Sequence, residues 1–132
     1  DKFIIFYNTP KGGNIMNDGI KITPFENGLL IKIYGELDSF HVLGYKDKIV
    51  LEMKRYNPYL LLWDLKNVSL FDSAGIGLIL GRYNEIRKVN GLCGFISLTT
   101  YTRKIIELTG LSKIIYEYKN LASFKKEGKV LL

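Results

Sequence analysis

The sequence predicts a single α/β domain built on a mixed, mostly parallel β-sheet that opens with a hairpin. Three observations predict it. Two alternating stretches stand side by side near the start, "IKITPF" and "LLIKIYGEL", separated only by "ENG". After them, apolar strand-like runs and segments of helical period follow one another in turn, the pattern of a sheet with crossover helices. The run "YLLLWDL" is apolar without alternation, as in a strand covered on both faces. At 132 residues the chain is long enough for one domain with one core.

The expected order is β-β-α-β-α-β-α-β-α over residues 19–132, with residues 1–18 as an N-terminal extension broken by "PKGGN". The first two strands read as a hairpin. Asp38 or Ser39 is placed to cap a helix. Val42, Tyr45, Ile49 and Met53 then recur at the period of one buried helical face. Pro58 ends that helix, since the residue before proline disfavours helical backbone. After "YLLLWDL" a second helix is expected from Ser73 to about Val89. "LCGFISL" is the next strand. Thr99 or Thr100 caps a short helix with Tyr101, Ile105 and Leu108 inward, stopped by Gly110. "KIIYEY" is the last strand, and Asn120 starts a terminal helix containing Leu121 and Phe124.

Composition excludes several classes. A hydrophobic fraction of 47% argues against disorder. No apolar run approaches the roughly 20 residues of a membrane span, and the burst "FIIFY" is too short for a signal-peptide core. A cytoplasmic protein is expected. Cys93 is the one cysteine, so no internal disulfide forms; without metal-ligand spacing around it, it reads as a small buried hydrophobe. No metal and no cofactor is expected. The net charge is +6, and Lys119, Lys125, Lys126 and Lys129 gather near the C-terminus. With no nucleic-acid motif beside them, they read as solvated surface.

Ligands of α/β sheets gather beyond the carboxyl ends of the strands. Two such loops carry acids, "GELDS" and "SLFDS". In the second, Asp72 and Ser73 interrupt the apolar pattern where the helix begins. Ile76, Ile79, Leu80, Tyr83 and Ile86 form its inward stripe. Leu78 lies about 200° from Ile76, covered by a neighbour or offered to a partner. Gly77 and Gly81, one turn apart, would admit a close backbone.

Ser73 reads in two compatible ways. Serine is a favoured N-cap. A helix start also presents free amides and a positive dipole end, which can accommodate a phosphate. A phosphoserine would add roughly −1.5 to −2 charges beside Asp72 and near Asp38. Nucleophilic catalysis fits less well. His41 is the sole histidine, "DSAG" is not the G-x-S-x-G elbow, and Gly75, Gly77 and Gly81 miss the dinucleotide spacing. Asp72 as a phospho-acceptor would need further acids for a metal. No catalytic residue is assigned.

"FDSAGIGLILGRYNEIRKVNG", with "YGELD" upstream and "LTGLSKII" downstream, resembles the STAS domain of anti-sigma-factor antagonists of the stage II sporulation protein AA type. The resemblance covers roughly residues 19–132. It implies a non-enzymatic switch: the unphosphorylated antagonist binds an anti-sigma factor with serine kinase activity and frees its sigma factor. Phosphorylation ends that binding, and a serine phosphatase restores it. By motif position Ser73 is the phospho-acceptor. Asp72 flanks it and Asp38 is the acid of the neighbouring loop; the helical angle, not the resemblance, adds Gly75 and Leu78 to the docking face of the helix. Ala74 stands where many members have a second serine, leaving Ser73 the only hydroxyl of the motif. The extension and the positive charge are not part of the resemblance. Neither direct nucleic-acid binding nor a membrane is implied. A STAS scaffold of another signalling system, or a nucleotide- or anion-binding domain, are the other functions this pattern allows.

Overall fold

The computed structural model describes residues 19–131; the expected extension, residues 1–18, lies outside them. The elements follow the expected order: β1 (Ile20–Phe25), β2 (Gly28–Leu37), α1 (Val42–Tyr56), β3 (Leu60–Phe71), α2 (Ser73–Arg87), β4 (Leu92–Ile96), α3 (Thr100–Leu108), a 3-10 turn (Leu111–Lys113), β5 (Tyr116–Glu117) and α4 (Leu121–Leu131). The sheet runs β1-β2-β3-β4-β5. The β1–β2 pair is antiparallel and every other pair is parallel.

Asn27 closes the hairpin in the left-handed region, with φ of 65°. Its carbonyl accepts from the amides of Tyr59 and Leu60, at 2.7 and 2.9 Å. The hairpin is thereby fixed to the start of β3. Within β3 the side chains alternate between two cores. Leu61, Trp63 and Leu65 join Tyr45 and Ile49 of α1, Ile79 and Ile86 of α2, and Ile106 of α3. Leu60 and Leu62 point the other way and meet Ile96 and Phe124 of α4. This double burial is why "YLLLWDL" carries no polar alternation.

Four expectations need correction. β3 does not stop at Leu65; its backbone pairs with β2 through Phe71, across two register shifts that accommodate the polar stretch "KNVS". β4 is shorter than "LCGFISL", because Ser97 takes a left-handed φ of 59°. β5 keeps only two residues. Gly110, at φ 83°, reverses the chain, and the amides of Lys113, Ile114 and Ile115 bond back to Gly110 and Leu111. They are then unavailable to β4. In α3 the inward side chains are Thr102 and Ile106, with Ile105 partly buried; Tyr101 is exposed and Leu108 is 76% exposed. The reciprocal capping box between Thr99 and Thr102 fixes this rotation. Tyr101 still serves the sheet, since its Oη accepts the Phe71 amide at 3.0 Å.

Cys93 is buried, as expected. Burial pushes its thiol up to about 12, opposed in part by the Trp63 indole N–H. Lys119, Lys126 and Lys129 are exposed. The last two stand on α4, which packs on the face of the sheet opposite α2.

Candidate functional site

Two loops meet at the carboxyl ends of β2 and β3. Ser73 is the first residue of α2 and is exposed. The cap is Asp72, not Ser73. Asp72 has extended backbone, and its Oδ1 accepts from the amides of Ala74 at 2.8 Å and Gly75 at 3.3 Å. Aspartate caps as well as serine does and adds a negative charge at the positive end of the helix. Among the described residues the Ser73 hydroxyl makes no hydrogen bond. It is spared a structural duty and faces solvent.

The second oxygen of Asp72 reaches the other loop: Oδ2 accepts from the Ser39 amide at 3.3 Å. The Asp72 amide in turn donates to the Leu37 carbonyl at 3.2 Å. One aspartate therefore caps α2 and ties it to the β2–α1 loop. Replacing it should show both roles. Asp72→Ala is expected to lower stability by about 1–2 kcal/mol, the cost of a lost cap, while Asp72→Asn keeps most of it; thermal melting of the two variants checks this.

Asp38 does not cap α1 directly. The helix begins at Val42, with His41 at the cap position and no side-chain cap bond. Asp38 instead closes the preceding turn. Its Oδ1 accepts from the His41 amide at 3.1 Å and lies 2.7 Å from His41 Nδ1. A carboxylate only accepts, so that nitrogen carries the proton. The His41 side-chain bond is the main reason the Asp38 carboxyl is held below its ordinary range. The imidazole also stacks on Tyr45 at 6.0 Å, and its Nε2 is 4.0 Å from Glu36. His41 thus orders the loop from Glu36 to Tyr45.

Gly75 and Leu78 lie beneath the exposed face of α2, and Leu78 still lines the hollow between α1 and α2. Gly75 is buried, and a Cβ there would strike the Leu37 carbonyl and lie 2.7 Å from Leu37 Cγ. Leu78 is buried, covered on the flank that faces α1. The helix is enclosed on two sides, by sheet and by α1, which widens its buried arc beyond the expected stripe. Leu80, expected inward, is exposed instead. Gly77 and Gly81 have nothing within 4 Å of where a Cβ would stand. Among the described residues no neighbouring backbone uses the space they leave.

The structure thus brings Asp38, Asp72, Ser73 and Ala74 to one rim and turns Gly75 and Leu78 beneath it. Sequence reasoning missed Phe40, 87% exposed, and Leu43, 68% exposed, on the same rim. The signal was available: "DSFHVLG" places an apolar ring between the turn that closes β2 and the first inward residue of α1. The arrangement holds a solvent-facing hydroxyl on a rigid helix start. Two of the amides that might have bound a free anion, those of Ala74 and Gly75, are engaged by Asp72, which weighs against an anion-binding role.

Fold and site together define a small α/β domain that presents an exposed serine at the start of a helix. A profile of the STAS domain family matches residues 19–125, and the chain belongs to that family. Among curated relatives, the anti-sigma F factor antagonist of Paenibacillus polymyxa is 30% identical over 121 residues, covering 88% of this chain and 99% of that one. The anti-sigma-B factor antagonist of Bacillus subtilis is 28% identical over 115 residues, covering 87% and 99%. The solved structure of the anti-sigma factor antagonist SpoIIAA in its unphosphorylated form superposes with a TM-score of 0.71 at 23% identity, over 81% of this chain and 94% of that one. At that identity it supports the fold alone. Among the described residues no helix is long and apolar enough to cross a membrane.

Proposed function

We propose that this chain is an anti-sigma factor antagonist switched at Ser73. In its unphosphorylated form it binds an anti-sigma factor with serine kinase activity and displaces the sigma factor. Ser73 Oγ then attacks the γ-phosphorus of ATP held by that partner, ADP leaves, and the hydroxyl proton passes to a base of the kinase. A serine phosphatase hydrolyses the ester and restores binding. The chain acts in the cytoplasm and contributes no catalytic group of its own.

The observation that carries this reading is the division of labour at the head of α2. Asp72 caps the helix, so the exposed Ser73 hydroxyl is free for chemistry. The names of the curated relatives support it. A phosphate on Ser73 adds roughly −1.5 to −2 charges on the rim beside Asp72. Asp72 already holds the amides of Ala74 and Gly75, so the added charge meets the partner rather than reorganising the fold.

The test is incubation with ATP and the purified anti-sigma factor of the same organism, read by mass spectrometry. One phosphate at Ser73 is expected, and none on Ser73→Ala. Equal labelling of Ser73→Ala would overturn the assignment. Ser73→Asp should weaken binding by roughly tenfold or more, the effect of a like charge at an interface, with little change in melting temperature.

A further inference from the structure

The groove between α1 and α2 opens at the Ser73 rim. Val42 and Leu43 form one wall, Ala74, Gly77 and Gly81 the other, and Leu78 the floor. Its volume is about 260 Å³, below the ~300–1,000 Å³ typical of small-molecule sites. Past Arg82 a second hollow continues between the C-terminal halves of the same helices, from Met53 to Val89. Arg82 lines both. The two helices therefore run side by side in one sense, and the seam follows them for about 20 Å, the length of 15 helical residues. An elongated occupant fits it.

Charge defines that occupant further. Lys46 and Arg82 flank the groove. Lys46 forms no ion pair among the described residues. The guanidinium of Arg82 donates to the Met53 sulfur at 3.8 Å, while the nearby Glu85 is held by Lys88 at 2.8 Å. At the open end stand Phe40 and Leu43, the first on a loop fixed by the Asp38–His41 and Asp72–Ser39 bonds. An aromatic on an ordered loop loses little conformational freedom on binding, the character of a hot spot.

We propose that the α1–α2 groove receives a helix of the anti-sigma factor that presents an apolar ridge flanked by carboxylates. Phe40 anchors it at the Ser73 end. Lys46 and Arg82 pair with its acids. This rests on the function proposed above and specifies the partner element that the switch acts on. Ala74 lines the groove beside Ser73, so a phosphate there stands at its mouth and repels an acidic occupant. The same carboxylates that pair with Lys46 in one state oppose the phosphoserine in the other.

The experiment is calorimetric titration of the purified anti-sigma factor of the same organism with the wild-type chain and four variants, each checked by thermal melting. Phe40→Ala is expected to weaken binding by about 10–30-fold, the scale of a hot-spot truncation. Lys46→Glu and Arg82→Glu should each weaken it, and steepen its loss less with added salt than wild type does. Lys126→Glu, on the opposite face of the molecule, should leave binding unchanged. A photoreactive p-benzoylphenylalanine in place of Leu43 should cross-link to an acidic helical segment of the partner. Wild-type binding with Phe40→Ala and Lys46→Glu equal to wild type overturns the groove while leaving the function standing, as does cross-linking to a basic or non-helical segment. Failure of the wild-type chain to bind overturns both.

Discussion

Replacing Gly75 with alanine is expected to lower the melting temperature by about 6–10 °C. The added methyl would stand against the Leu37 carbonyl and within 2.7 Å of Leu37 Cγ and 3.1 Å of Phe71 Cδ1. A backbone oxygen cannot rotate away as a flexible side chain can, so α2 must shift from the end of β2. Overpacking of this kind costs about 1–3 kcal/mol, and the upper end applies where backbone is struck. The better helix propensity of alanine returns about 1 kcal/mol at most. For a domain of this size each kcal/mol is worth about 3–5 °C. The displacement also separates Asp72 from Ser39, so labelling at Ser73 should fall with stability. Gly77→Ala, two residues on, is the contrast. Its methyl meets nothing within 4 Å among the described residues, and the variant should melt no lower than wild type. A Gly75→Ala variant that melts no lower than Gly77→Ala would show that the approach to Leu37 does not limit this site.

Phe124→Ala should be the most damaging change remote from Ser73, at about 3–5 kcal/mol. Phe124 is fully buried and is the largest side chain of the smaller core, with Leu60, Leu62 and Ile96. Its ring meets Tyr118 edge-on at 5.1 Å. It reaches the sheet because Gly94 of β4 has no side chain; a Cβ there would lie 2.7 Å from Phe124 Cε1. Few other side chains hold α4 down, so truncation should release the helix as a unit. Urea denaturation of the variant measures the loss, and a cost under 1 kcal/mol would mean that α4 is held by something other than this ring. Against a total stability of order 5–15 kcal/mol, the expected loss leaves a marginal fold. Because α4 lies across the sheet from α2, phosphorylation of the residual folded protein should be retained.

Most of the architecture could be read from the residues, because its signals are local. Alternation gave the hairpin, the unbroken apolar run gave the central strand, and Asn57–Pro58 ended α1. What could not be read depends on contacts between elements. Nothing in "KNVS" says that β3 continues, since its pairing with β2 survives through register shifts. The rotation of α3 follows from a threonine pair that binds itself. At the site, the exposed serine at the start of a helix was legible. The identity of the cap was not, because aspartate and serine are both good caps and stand side by side. Whether Leu78 is covered or offered to a partner could not be decided for one reason. A helical angle describes a helix against a single surface, and α2 is packed against two.

The chain holds one tryptophan, and it sits on the strand that both cores share. Trp63 is wholly buried, and its indole N–H finds no nitrogen or oxygen acceptor among the described residues. An indole so placed emits toward the blue and turns red only when the face of β3 under α1, α2 and α3 is wetted. Light from this one ring therefore distinguishes a molecule that has merely shed α4 from one that has come apart, without any label being added.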